Sequence, residues 1–249
     1  MPALENTFLF IEPKQHYLDY GTSVMHEIVQ TYRQPGQIIT ELIGDEANKE
    51  KIKQELQRLN PIFFFGLGHG NVDVYSVECT EVFMRVGDPE VDLMKERVVV
   101  LNSCLTAQEL GPAIIDAGAI TYLGSKEEFW FFIGDAPGTT RAVRSPFLAE
   151  YQFDASILQG KSTGDARQDQ MRKYDEEINY WTFGDGKDHA NAMELSRILG
   201  INKSISVFLG EGTVVPSPTV TPLVTAKSIL PLTIPSIALA VLIYKEFFS

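Results

Sequence analysis

A chain of 249 residues with 44% hydrophobic and 22% charged residues is long enough to bury a full core and too apolar to stay disordered. Its 21 Lys+Arg against 33 Asp+Glu give a net charge of −12 without a basic stripe, which repels a phosphate backbone, so no nucleic-acid partner is expected. The two cysteines, Cys79 and Cys104, show neither CxxC nor Cys/His spacing, so no disulfide framework, metal site or cofactor is expected.

In chain order, "TFLFIEP" (7–13) reads as a buried first strand, followed by a helix near Tyr17 to Tyr32. The opening residues lack a basic n-region, so the main domain is expected in the cytoplasm. "GQIITELIG" is a second strand. "DEANKEKIKQELQRLN" then sets Ile52, Leu56 and Leu59 at helical spacing, with Asp45 as its expected N-cap and Pro61 as its stop. "IFFFG", "ERVVVLNS" and "AITYLGS" are continuous apolar runs of the kind seen in parallel strands covered on both faces. Between the last two, "LTAQELGPAIIDAG" predicts a helix turning Ala113, Ile114 and Ala117 to the sheet and stopped by Gly118. From Phe129 to Asp188 the pattern weakens into polar helices and glycine loops, and "ISVFLGEG" (205–212) predicts a last strand. The alternation implies an α/β fold, a three-layer α/β/α sandwich on a mostly parallel sheet, spanning 1–212.

Residues 213–227 read as a Pro/Thr-rich linker, and 228–249 as a hydrophobic tail. Within the tail, "SILPLTIPSIALAVLIY" holds 17 uncharged residues, about 26 Å as a helix, at the lower edge of membrane-spanning length. The reading is a membrane anchor for a cytoplasmic domain. A packing arm in an oligomer is the alternative.

Chemistry centres on "PIFFFGLGHGN" (61–71). A phosphate-cradling loop would open a helix, yet "NVDVYSVECTEVFM" follows, rich in β-branched residues, and the glycines read GxGxG with no GK[ST] after them in this stretch. The alternative is a strand end that presents His69. The next parallel strand ends at Ser103 and Cys104, so two neighbouring strand ends would bring an imidazole and a thiol together. The backbone N–H groups of Gly70 and Cys104 would then face a developing oxyanion.

"FFFGLGHGN" followed by "RVVVLNSCLTAQELGPAIIDAGAITYLGS" resembles the paired motifs of the caspase-hemoglobinase fold, closest to gingipain-type peptidases and CHAT-type caspase-like domains. The resemblance covers residues 38 to 125, and "ISVFLGEG" is similar to the closing strand of the gingipain type, with Glu211-Gly212 where that type tends to Asp-Pro. It implies a cysteine endopeptidase acting on a protein or peptide, with Cys104 as nucleophile, His69 as its base and Gly70 in the oxyanion hole. Asn102 stands where metacaspases carry an Asp that helps bind a basic side chain, so Arg/Lys specificity is not expected. Glu12 and Asp73 are candidates for a third, orienting residue, and by fold analogy the specificity pocket draws on Phe129, Trp130 and Asp135. A caspase-like scaffold without cleavage, held at a membrane, is the competing function.

Overall fold

The computed structural model describes residues 4–14, 17–78, 81–133 and 140–216. Strand β1 (Leu4–Glu12) turns Phe8 and Phe10 to one face and Leu9 and Ile11 to the other, all fully buried. Helix α1 (Leu18–Tyr32) buries Val24, Met25, Ile28 and Val29, the i, i+4 stripe that packs a helix onto a sheet. β2 (Ile38–Ile43) follows as the edge strand.

Helix α2 (Lys49–Leu59) is capped by Asn48, whose side chain accepts from the Lys51 N–H at 3.0 Å. The expected cap, Asp45, lies instead in a short 3-10 turn (Gly44–Glu46), because that turn delays the helix until Asn48 reaches an extended conformation. The helix stops at Asn60 in the left-handed region, and β3 (Pro61–Leu67) begins at once. Proline serves at a strand's first residue, where no ladder donor is needed.

After Gly68 the chain folds into three short antiparallel strands, β4 (His69–Asn71), β5 (Val74–Ser76) and β6 (Val82–Arg85), a separate small sheet. A strand, not a helix, therefore follows the glycines, and the pyrophosphate-binding geometry is absent there. A short α3 (Pro89–Asp92) leads to β7 (Val98–Asn102), α4 (Leu110–Asp116) and β8 (Thr121–Ser125). In α4, Leu110, Gly111 and Ile114 are buried, while Ala113 and Ala117 are half-buried, so the helix is rotated slightly from the expected face. Gly118, with φ of 100°, ends it.

Helices α5 (Arg141–Glu150), α6 (Gln152–Leu158), α7 (Thr163–Thr182) and α8 (Ala192–Ile205) follow, and α8 runs directly into β9 (Ser206–Gly210). The main sheet has the order β2-β1-β3-β7-β8-β9, with the first five strands parallel and β9 antiparallel to β8. Residues of α1, α5 and α6 cover one face and residues of α2, α3 and α4 the other. The chain is thus mixed α/β on a mostly parallel six-stranded sheet with helices on both faces. Beyond Gly212 it stays on the domain: Val214 O accepts from Thr163 N at 2.8 Å and Pro216 O from Asn6 N at 3.0 Å.

The tail at 228–249 lies outside the described residues, as does most of the linker. Among the described residues no helix is long and apolar enough to cross a membrane.

Candidate active site

Strand order reverses beside β1, which pairs with β2 on one side and β3 on the other. In open α/β sheets, the crevice beyond the carboxyl ends at such a point is where ligands bind. Here it is a pocket of about 90 Å³ whose rim includes Tyr17 and Leu18 after β1, His69 after β3, and Ser103 and Cys104 after β7. The structure thus brings together the two side chains selected in sequence. Gly70 does not reach this pocket. It lines, with Cys104, a second cleft of about 420 Å³ alongside Glu128, Trp130 and Ile133. Phe129 and Phe131 wall both, so Cys104 sits at the ridge between two cavities.

The register explains the meeting. Leu67 pairs with Asn102, and Gly68 N donates to Asn102 O at 3.3 Å, so β3 and β7 end level and their next residues leave side by side. Tyr75 holds the small sheet down: its ring is fully buried and its hydroxyl donates to Leu67 O at 2.8 Å. A Cβ on Gly68 would stand 2.3 Å from Ser76 O, so glycine is required for this close approach. From the other side, Val72 O accepts from both Glu109 N and Leu110 N, tying the hairpin to the start of α4.

The turn carrying the thiol is fixed equally closely. Ser103 and Thr106 are buried, their hydroxyls 3.2 Å apart, and Tyr122 donates to Thr106 at 2.9 Å. Leu105 has a φ of 66°, an uncommon conformation for a leucine. Such strain survives only where the surroundings impose it, and it often sits beside functional groups. The aromatic wall is pinned by Asn202, which accepts from Trp130 N at 3.0 Å and donates to Trp130 O at 2.7 Å.

Cys104 is half-buried and is the free cysteine among the described residues; Cys79 lies outside them. Burial pushes its thiol up from the ordinary value and the Glu128 carboxylate adds to this, against a backbone hydrogen bond from Phe129. The sulfur is therefore a neutral thiol at rest. Iodoacetamide alkylation of Cys104 should be slow at pH 7 and rise about tenfold per pH unit, still climbing beyond ~8.5, the ordinary thiol midpoint. Mass spectrometry of the labelled peptide across pH checks this. A midpoint at or below 7 would instead reveal a standing thiolate–imidazolium pair.

Asp73 accepts from Arg85 at 2.9 Å within the hairpin. Glu12 is fully buried and faces Glu41, which lies 2.8 Å from His26 Nδ1 and accepts from Gln30 at 3.2 Å. No donor among the described residues reaches the Glu12 oxygens, so the carboxyl keeps its own proton: burial, then the Glu41 charge, hold it well above the usual carboxylate range. Because the unfolded chain ionises first, this group costs stability as pH rises from the ordinary carboxylate value towards its folded one. Glu12→Gln donates to Glu41 without needing a proton. It should raise Tm at pH 7 by about 2–4 °C, for a gain on the order of 1 kcal/mol in a domain this size, and change little near pH 4. Thermal melts at the two pH values measure both.

Among the described residues no three His, Cys, Asp or Glu side chains converge as metal ligands. No family model matches the chain, and no curated protein matches its sequence. Of the loop expected to shape a pocket, Phe129 and Trp130 do line the cavities, while Asp135 lies outside the described residues. Sequence reasoning did not select Tyr17, Leu18 or Phe147 for the pocket. No periodic signal marks them, because they arrive from helices distant in the chain.

Proposed function

We propose that the chain is a cysteine endopeptidase of the caspase-hemoglobinase type, closest to the gingipain-type and CHAT-type domains. One observation carries this reading: His69 and Cys104, 35 positions apart, line one pocket at the carboxyl edge of a parallel sheet. An imidazole beside a thiol in a cleft is the minimum machinery for covalent acyl transfer.

With a neutral thiol at rest, attack has to be base-assisted. Cys104 Sγ adds to the peptide carbonyl carbon while its proton passes to His69. The oxyanion so formed would be met by the backbone N–H groups of Gly70 and Cys104. Collapse expels the amine, which takes the proton from the imidazolium and leaves a thioester. Water, deprotonated by His69, then attacks the thioester, releasing the carboxylic acid and returning the thiol. No metal or cofactor enters.

The test is cleavage of a mixed peptide library by the purified protein, read by mass spectrometry and repeated after alkylation. Cleavage that survives complete alkylation of Cys104 would sink the reading. The raised thiol favours a second one, a caspase-like module that binds partners without cleaving them, and an intact library would support it. In either case the apolar segment at 228–249 would tether the domain to a membrane; flotation of the full chain with lipid vesicles tests this.

A further inference from the structure

Another cleft lies at the opposite edge of the main sheet, where α2 gives way to β3 and the turn after α3 enters β7. At about 570 Å³ it is larger than either cavity beside Cys104. Asp92, Lys95 and Glu96 line it as exposed side chains and Arg97 as a buried one, 7% exposed. None of the ion pairs among the described residues uses any of these four. The polar cleft between α6 and α7 differs on this point: its Lys161, Arg172 and Lys173 already meet Asp169, Glu176 or Glu177. Charges matched within the protein offer a ligand little, whereas those of the α2–β7 cleft are still to be matched.

Arg97 is the group with the most to gain. Its Nη1 donates to Lys95 O at 2.7 Å and its Nη2 to Asn60 Oδ1 at 2.8 Å, so both acceptors are neutral, and its Nε is enclosed without an acceptor. The Glu96 charge reaches the guanidinium, but no hydrogen bond joins the two. A cation held out of water with no carboxylate in contact costs stability until an anion supplies the match. Each terminal nitrogen has a second hydrogen to offer one. The backbone adds an independent sign. Glu96 has a φ of 61°, where glycine is favoured, and its N–H is fixed on Gly118 O at 2.8 Å. Strain of this kind is held where the surroundings over-determine it, and such residues cluster at ligand clamps.

We propose that this cleft binds a small zwitterion of the free amino acid type, its carboxylate taken by Arg97 and Lys95 and its ammonium by Asp92 and Glu96. The charge count selects that class. Two cations without ion pairs call for an anion, and a guanidinium holds a carboxylate by charge-assisted bonds stronger than neutral ones. The two carboxylates in the same cleft repel a polyanion such as a phosphate and favour a ligand that also carries a positive group. The cleft is separate from the thiol, with the lengths of β3 and β7 between them, so its occupant is independent of the peptidase reading.

Matched probes test each half of the charge pattern. The full-length protein is titrated by calorimetry with L-leucine, with isocaproate and isopentylamine, which each lack one of its two charges, and with inorganic phosphate. Leucine should bind about 5-fold more tightly than either analogue, and phosphate most weakly. Arg97→Gln should weaken leucine about tenfold or more, the value of hydrogen bonds to a charged group. Because that change also alters the tie between α2 and the turn, two exposed residues carry the test independently of folding. Lys95→Gln should weaken isocaproate about 3-fold and leave isopentylamine unchanged, Asp92→Asn should do the reverse, and leucine should respond to both. An analogue that equals leucine, phosphate as the best ligand, or no binding of any probe would each overturn the proposal. So would affinities that neither Lys95→Gln nor Asp92→Asn moves, which would leave Arg97 as a structural tie alone.

Discussion

Cys104→Ala should abolish peptide hydrolysis, lowering kcat/KM by roughly 10⁴-fold or more, because removal of a nucleophile leaves only what positioning and oxyanion donors supply. Folding should not follow. The side chain is half-buried and its sulfur makes few polar contacts, so loss of one small atom there is a minor packing change. Kinetics with the best library peptide and a thermal melt, run on both proteins, give the two numbers. Activity retained within tenfold would place the nucleophile elsewhere. A large drop in Tm would mean that Cys104 is a packing residue and that the activity loss is indirect.

Gly70→Ala is expected to damage both stability and catalysis through one contact. The added methyl group would stand 2.4 Å from Cys104 O and 2.7 Å from Thr106 Cγ2. The oxygen belongs to the backbone of a turn held by buried Ser103 and Thr106 and by Tyr122, so it cannot swing aside, and β4 must back away. Forcing extra volume into such a contact costs about 1–3 kcal/mol. The same displacement moves His69, the neighbouring residue. A shift of about 1 Å between reacting groups costs on the order of 100-fold in rate. Gly200→Ala in α8, where nothing lies within 4 Å of the new carbon, should be neutral or stabilising and serves as the control. Equal behaviour of the two variants in melts and kinetics would dismiss the contact.

The strands of the main sheet were legible because a strand covered on both faces is a nearly continuous apolar run, as "IFFF" and "VVVL" are. The pairing of His69 with Cys104 was legible for the same reason: once two neighbouring strands are parallel, their carboxyl ends share an edge. The helical layer from α5 to α7 was not. It buries Glu150, Gln170 and Glu177, which a hydrophobic pattern reads as surface. Their partners explain the burial. Glu150 accepts from Tyr174 at 2.6 Å, Gln170 donates to Glu150 O, and Glu177 takes Ser145, Arg141 and Lys173. Polar burial of this kind depends on contacts between helices, which periodicity within one helix does not register. Asn102 stood out in the sequence by its place before Cys104, whereas its contact with the Tyr151 hydroxyl, 49 positions away, did not.

The small sheet gives the candidate pair an unequal footing. Cys104 follows, two residues on, a strand whose neighbours on both sides belong to the main sheet, so the turn that carries it starts from the ladder of the main sheet. His69 begins a hairpin held to that frame mainly by side chains: the Tyr75 hydroxyl donates to Leu67 O, and Phe83 stacks on Phe64 at 6.0 Å. The thiol is therefore placed by backbone pairing and the imidazole by side-chain packing, so truncating Tyr75 or Phe83 should disturb His69 more than Cys104.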